Sequence, residues 1–106
     1  MAKYFIEAAY TPEGIKGLLK DGGSARRDAA TRLMEGLGGT VEAFYYSFGS
    51  NEAYLIVDMP DNVSMAAAGY AVNASGAVTT KAVALLTPEE VDEACRQSPA
   101  YQAPGS

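Results

Sequence analysis

An α+β fold of the ferredoxin-like kind, a four-stranded antiparallel sheet in the split βαβ order β-α-β-β-α-β with an added C-terminal helix, follows from three observations on this chain. Between Thr40 and Pro60, two runs of strand formers, Val41 with Phe44 to Tyr46 and Tyr54 to Val57, meet at Gly49-Ser50-Asn51. Those turn residues tolerate a positive φ or local side-chain hydrogen bonds, so the segment reads as a hairpin. Helical patterns lie on both sides of that hairpin, and an alternating strand opens the chain while an apolar run from Val78 to Leu86 closes the pattern.

Lys3 to Tyr10 reads as the first strand, with Tyr4, Ile6, Ala8 and Tyr10 on one face and Phe5, Glu7 and Ala9 on the other. Thr11-Pro12 then supplies an N-cap and a proline at the first helical position, and Ile15, Leu18 and Leu19 give a short apolar stripe that stops at Gly22-Gly23. Ser24 opens a second helical piece carrying Ala30, Leu33, Met34 and Leu37 at helical spacing. Asp28 and Arg32 are expected to form an i,i+4 pair there, and Gly38-Gly39 ends the piece. The two pieces are expected to act as one broken helical layer.

After the hairpin, Pro60-Asp61-Asn62 reads as a turn or cap, followed by an alanine-rich helix with Val63, Ala66, Ala67, Tyr70, Ala71 and Ala74 on one face. Small residues there suit close approach to a sheet. Gly76 releases the chain into the last strand, and Thr87-Pro88-Glu89-Glu90 is a capping box that starts a helix running to about Arg96. Residues 1–97 are expected to form one domain, and 98–106, rich in proline, glycine and small polar residues, a flexible tail.

Composition limits the functional classes. The 106 residues are 48% hydrophobic and 20% charged, ordinary for a globular chain, and the net charge is −5 with the basic residues scattered. No basic stripe is present to bind nucleic acid or an anionic membrane, and no run is long enough to span one, so a soluble cytoplasmic protein is expected. Histidine is absent and Cys95 is the single cysteine, which removes the usual general base, the usual zinc ligand and any internal disulfide. Neither a cofactor nor a metal is expected. Cys95 reads as a half-buried helix residue, and Met34, Met59 and Met65 as gap-filling core.

Helices from both crossovers would cover one face of the sheet, yet the other face still carries Tyr, Phe, Ile or Val from every strand. A second copy packing sheet to sheet would bury that surplus, so a homodimer or higher homo-oligomer is expected; a modestly apolar face left open to solvent is the alternative.

The start KYFIEAAYTPEGIK, the segment LGGTVEAFYYSFG and the segment AYLIVDMPD resemble the GYD domain family, named for a Gly-Tyr-Asp motif near the hairpin turn. The resemblance covers most of residues 3 to 90. Gly49 is kept, whereas Asn51 and Glu52 stand where the motif has tyrosine and aspartate, with Ser50 between. The resemblance implies a ferredoxin-like protomer that pairs as a dimeric α/β barrel, in a family whose biochemical activity is largely undefined.

Candidate chemistry is sparse. Glu7, on a strand expected to be central, is a candidate general base, and Lys81 falls on its expected antiparallel neighbour. A cross-strand ion pair between them is the structural alternative. Tyr10, Tyr45, Tyr46, Tyr54 and Tyr70 are candidate ligand-binding residues, since tyrosine joins an apolar body to a hydroxyl; they suit a core or an interface equally well. Arg26, Arg27 and Asp28 open a helix where an anion could bind, but without a phosphate-loop pattern a solvated helix face is the simpler reading. Three functions remain open on the residues alone. One is a homo-oligomeric protein binding a small apolar or aromatic molecule between sheet and helices. Another, by fold analogy with dimeric α/β barrels, is a cofactor-independent oxygenase or isomerase acting on a small aromatic or polyketide-like substrate. The last is a purely structural or assembly module.

Overall fold

In the computed structural model, which describes residues Met1–Ser106, the chain runs β1 (Ala2–Tyr10), α1 (Pro12–Asp21), α2 (Gly23–Gly36), β2 (Thr40–Tyr46), β3 (Glu52–Met59), α3 (Asn62–Ala74), β4 (Val78–Leu85) and α4 (Pro88–Gln97). The sheet order is β2-β3-β1-β4 with all neighbours antiparallel, so β1 is central as the split βαβ order requires. The ferredoxin-like expectation holds, including the division of the first crossover into two helices.

The alternation in β1 and β3 sets the layers. Tyr4, Ile6 and Ala8 point to the helices together with Ala53, Leu55, Val57 and Met59, and they meet Met34 of α2 with Met65 and Ala68 of α3. Val57 and Met59 are 0% exposed, and burial of a side chain of this size contributes about 1.5–3 kcal/mol. The three methionines expected in the core are all there.

The hairpin closes through the Ser47 N–H, which donates to the Glu52 carbonyl at 2.7 Å, and through Asn51 at φ 57°, a left-handed position asparagine tolerates. The Asn51 carbonyl also accepts from the Tyr10 N–H at 3.0 Å, tying the turn to the end of β1. A register shift between Val41 and Ala43 places a bulge at Glu42, whose carboxylate takes a hydrogen bond from Lys3 on the uncovered face; Asp58 takes another.

At the opposite crossover, the Thr11 hydroxyl accepts from the Gly14 N–H at 3.2 Å and donates to the Gly76 and Ala77 carbonyls. Gly14 is required at this contact, since a Cβ there would lie 1.9 Å from the Ala77 carbonyl oxygen. Edge strand β4 is partly protected by α3: the Asn73 side-chain oxygen accepts from the Thr80 N–H at 2.7 Å.

Three details differ from the sequence reading. The buried stripe of α3 is Met65 and Ala68 with half-buried Gly69 and Val72, while Val63, Ala66, Ala67, Tyr70, Ala71 and Ala74 face outward. Met65 and Val72 gain more by burial than the alanines do, and alanine favours a helix without needing burial. Asp28 pairs with Arg27 at 3.1 Å rather than with Arg32. Cys95 is exposed, because every residue of α4 is exposed. The capping box of α4 does form, with Thr87 and Glu90 bonding each other's backbone N–H groups at 3.1 and 2.9 Å.

That helix and residues 98–106, which carry no helix or strand, stand away from the packed body. The Cα radius of gyration is 17.0 Å, against about 13 Å for a close-packed domain of this length. No helix is long and apolar enough to cross a membrane.

Candidate functional site

Small residues at facing positions leave a cavity between the helices and the sheet. Ala8 of β1 and Ala53 of β3 lie below it, Ala29 and Ala30 of α2 and Ala68 and Gly69 of α3 above, and the volume left is about 120 Å³. Larger apolar residues complete the walls: Ile6, Leu55 and Phe44 on the sheet side, Leu33, Met34, Met65 and Val72 on the helix side. Val78 and Thr80 of β4 and Tyr10 of β1 line it as well. Tyr10 and Val78 are register partners.

Among the lining residues a single one is charged, Arg26 in the first turns of α2. Its spacing explains the placement. Arg26, Ala30 and Leu33 recur at i, i+4 and i+7, on the stripe that faces the sheet. The five ion pairs of the protein do not include it, and its guanidinium has no hydrogen-bond acceptor in the protein, although the residue is half-buried. Arg27, one position on, points to Asp28 instead.

Three aromatic rings stand at this end of the cavity. Phe44 meets Tyr46 edge-on with centroids 5.1 Å apart, and Tyr46 lies 6.3 Å from Tyr10. The Tyr46 hydroxyl donates to the Gly23 carbonyl at 2.9 Å, holding the first turn of α2 down on β2 and with it the backbone from which Arg26 extends. Burial, then the neighbouring Tyr10, pushes the Tyr46 phenol up to about 12, while the Arg26 and Arg27 guanidiniums pull it the other way. Tyr46 therefore stays a neutral donor throughout the physiological range.

The remaining candidates are divided among other surfaces. Glu7 and Lys81 are register partners, as the topology implies, but they occupy the uncovered face of the sheet with the sheet between them and the cavity. They make no ion pair within 4.0 Å. Tyr54 pairs with Glu7 from the other side, stacks on Phe5 at 5.9 Å and donates its hydroxyl to Glu52 at 2.6 Å. Tyr45 is on the same face and 71% exposed. Tyr70 is 76% exposed on the outer side of α3, beside a shallow groove with Tyr4 and Asn62. Of the five tyrosines singled out by sequence, Tyr10 lines the cavity and Tyr46 supports its wall.

Arg26 is the residue sequence reasoning set aside, and the helical stripe it shares with Ala30 and Leu33 was the available signal. Histidine, cysteine, aspartate and glutamate side chains nowhere gather in a group of three able to hold a metal ion.

Residues 4–95 match the sequence model of one family, described as GYD domain. No curated protein and no solved structure matches the chain.

Proposed function

The chain belongs to the GYD domain family, and from that premise we propose that it is a homo-oligomeric protein that binds a small apolar or aromatic molecule between its sheet and its helices. The observation that carries this reading is the apolar cavity of about 120 Å³ roofed by α2 and α3. An apolar cavity of roughly 150 Å³ is enough to take up benzene. The pocket is partly open to solvent, and well-packed layers ordinarily fill apolar space of this kind, because an unfilled lining loses dispersion contacts. Six of the lining positions hold alanine or glycine, and exchanging a few for valine or leucine would close the space.

Assembly is the second part of the proposal. The uncovered face presents Phe5, Tyr54, Ile56, Val83 and Leu85, half-buried or exposed, and a second copy packing sheet to sheet would cover them. The row Tyr54, Glu7, Lys81 runs across the centre of that face. It supports the enzymatic alternative, a cofactor-independent oxygenase or isomerase, only if pairing encloses it; loss of pH-dependent ligand binding in Glu7→Gln is the result that reading expects.

The test is uptake of benzene followed by amide chemical shifts. Perturbations are expected at Ala8, Ala53 and Ala68, and none in Ala30→Leu, where the added side chain occupies the space. Absence of any shift in the wild type at saturating benzene retires the ligand reading. Sedimentation of the wild type tests assembly separately: a monomer at micromolar concentration retires the sheet-paired dimer.

A further inference from the structure

The cavity is apolar at every lining position except Tyr10, Thr80 and Arg26, and Arg26 alone carries charge. An arginine beside an apolar space is ordinarily neutralised by a carboxylate of the protein, since a partly desolvated charge without a partner is costly. Here Asp28, two residues on, pairs with Arg27, and no carboxylate lies within 4.0 Å of the Arg26 guanidinium. The guanidinium offers five N–H donors in a planar fork, a geometry that matches one carboxylate with two parallel hydrogen bonds.

Resting on the reading of the cavity as a ligand site, we propose that the ligand is a small apolar monoanion, a carboxylic acid whose body is about one aromatic ring or a short branched chain. The ring occupies the space between Ala8, Ala53, Ala30 and Ala68, and the carboxylate lies against Arg26. The volume of about 120 Å³ suits a body of roughly that size. Tyr46 serves as a positioning residue: its bond to the Gly23 carbonyl fixes the turn that presents Arg26. The net charge of −5 makes the protein a poor host for a polyanion, whereas one carboxylate on an apolar body meets the single cation at short range and loses little to the long-range field.

The test compares benzoate with benzyl alcohol, a neutral molecule of nearly the same size, by titration of amide chemical shifts in the full chain. Wild type is expected to bind benzoate at least about tenfold more tightly than benzyl alcohol, the value of one charge-assisted hydrogen bond. Added salt is expected to narrow the gap. Arg26→Gln should remove the preference for benzoate over benzyl alcohol, and Arg26→Lys should keep part of it. Ala30→Leu should abolish binding of both. Equal affinities in the wild type, or a benzoate preference that survives in Arg26→Gln, overturn the carboxylate proposal while leaving the apolar site intact. Failure of both molecules to bind the wild type overturns the site itself and the proposal with it. The wild-type comparison requires no substitution, so a variant that does not fold leaves the proposal decidable.

Discussion

The same substitution at two helical glycines is expected to act in opposite directions. Gly69 lies inside α3, where glycine costs about 1 kcal/mol relative to alanine because it orders more backbone freedom on folding. A Cβ at that position meets only the Thr80 hydroxyl oxygen, at 3.6 Å, an ordinary van der Waals contact. Gly69→Ala should therefore stabilise the protein by about 1 kcal/mol, a rise in Tm of about 4–8 °C for a domain near this size. Gly14 lies in α1 and gains the same kind of helical preference, yet its Cβ would sit 1.9 Å from the Ala77 carbonyl oxygen. That oxygen is already held by the Thr11 N–H at 3.0 Å and the Thr11 hydroxyl at 3.1 Å, so relief requires breaking the contact between α1 and the turn before β4. Overpacking of this kind costs about 1–3 kcal/mol and each lost hydrogen bond about 1 kcal/mol. Gly14→Ala should lower stability by roughly 2 kcal/mol net of the helical gain. Thermal and urea unfolding followed by circular dichroism measure both. A fall in Tm for Gly69→Ala would mean that α3 lies closer to β4 than described, and a neutral Gly14→Ala would remove the pinned contact at Ala77 from the account of the fold.

Thr87→Ala removes half of the capping box and is expected to melt α4 alone, since a ten-residue helix is marginal without packing; hydrogen exchange should rise over 88–97 while the urea midpoint of the body stays fixed. Loss of global stability would instead place α4 in a packed contact. Asp61 caps α3, and the Ser64 N–H holds its carboxyl below the ordinary range. Its stabilisation is therefore present above the unfolded carboxyl's pKa and lost as pH falls through the lowered value. The stability difference between wild type and Asp61→Ala should shrink in acid, read from urea midpoints across pH 2–6. The phenol of Tyr46 is raised to about 12, so its contribution is whole below the unfolded value near 10 and disappears as pH rises through about 12. One tyrosine should titrate late in the ultraviolet spectrum of the native protein, and Tyr46→Phe should remove that step.

Local chemistry made much of this fold legible. Thr11-Pro12 and the Thr87/Glu90 box specify their helix starts through backbone N–H groups a few residues away, and those bonds form as expected. The turn at Gly49-Ser50-Asn51 and the alternation of Tyr4, Ile6 and Ala8 set the hairpin and the buried face of β1 with the same directness. The outcome was less legible where the competing faces of a helix have similar polarity. In α3 alanines occur all round, and the choice between the Ala66 side and the Met65 side depends on how much apolar surface the sheet can cover. For α4 the amphipathic pattern is clear but nothing in one chain receives it. The candidate site was harder still. Glu7 and Tyr10 share β1 and Lys81 lies on neighbouring β4, and only the pleat puts Glu7 and Lys81 on the face opposite Tyr10.

By itself, the sequence determined the order of elements, the antiparallel four-stranded sheet, the caps and the apolar composition of the core, because each depends on interactions within a few residues or on strict period-two patterning. Tertiary structure decided which face of α3 is buried, that α4 stands apart, and that Arg26 rather than Glu7 borders the cavity. Those outcomes depend on how two layers meet across residues far apart in the chain. A pocket between layers is a property of facing side chains together, so no single segment encodes it.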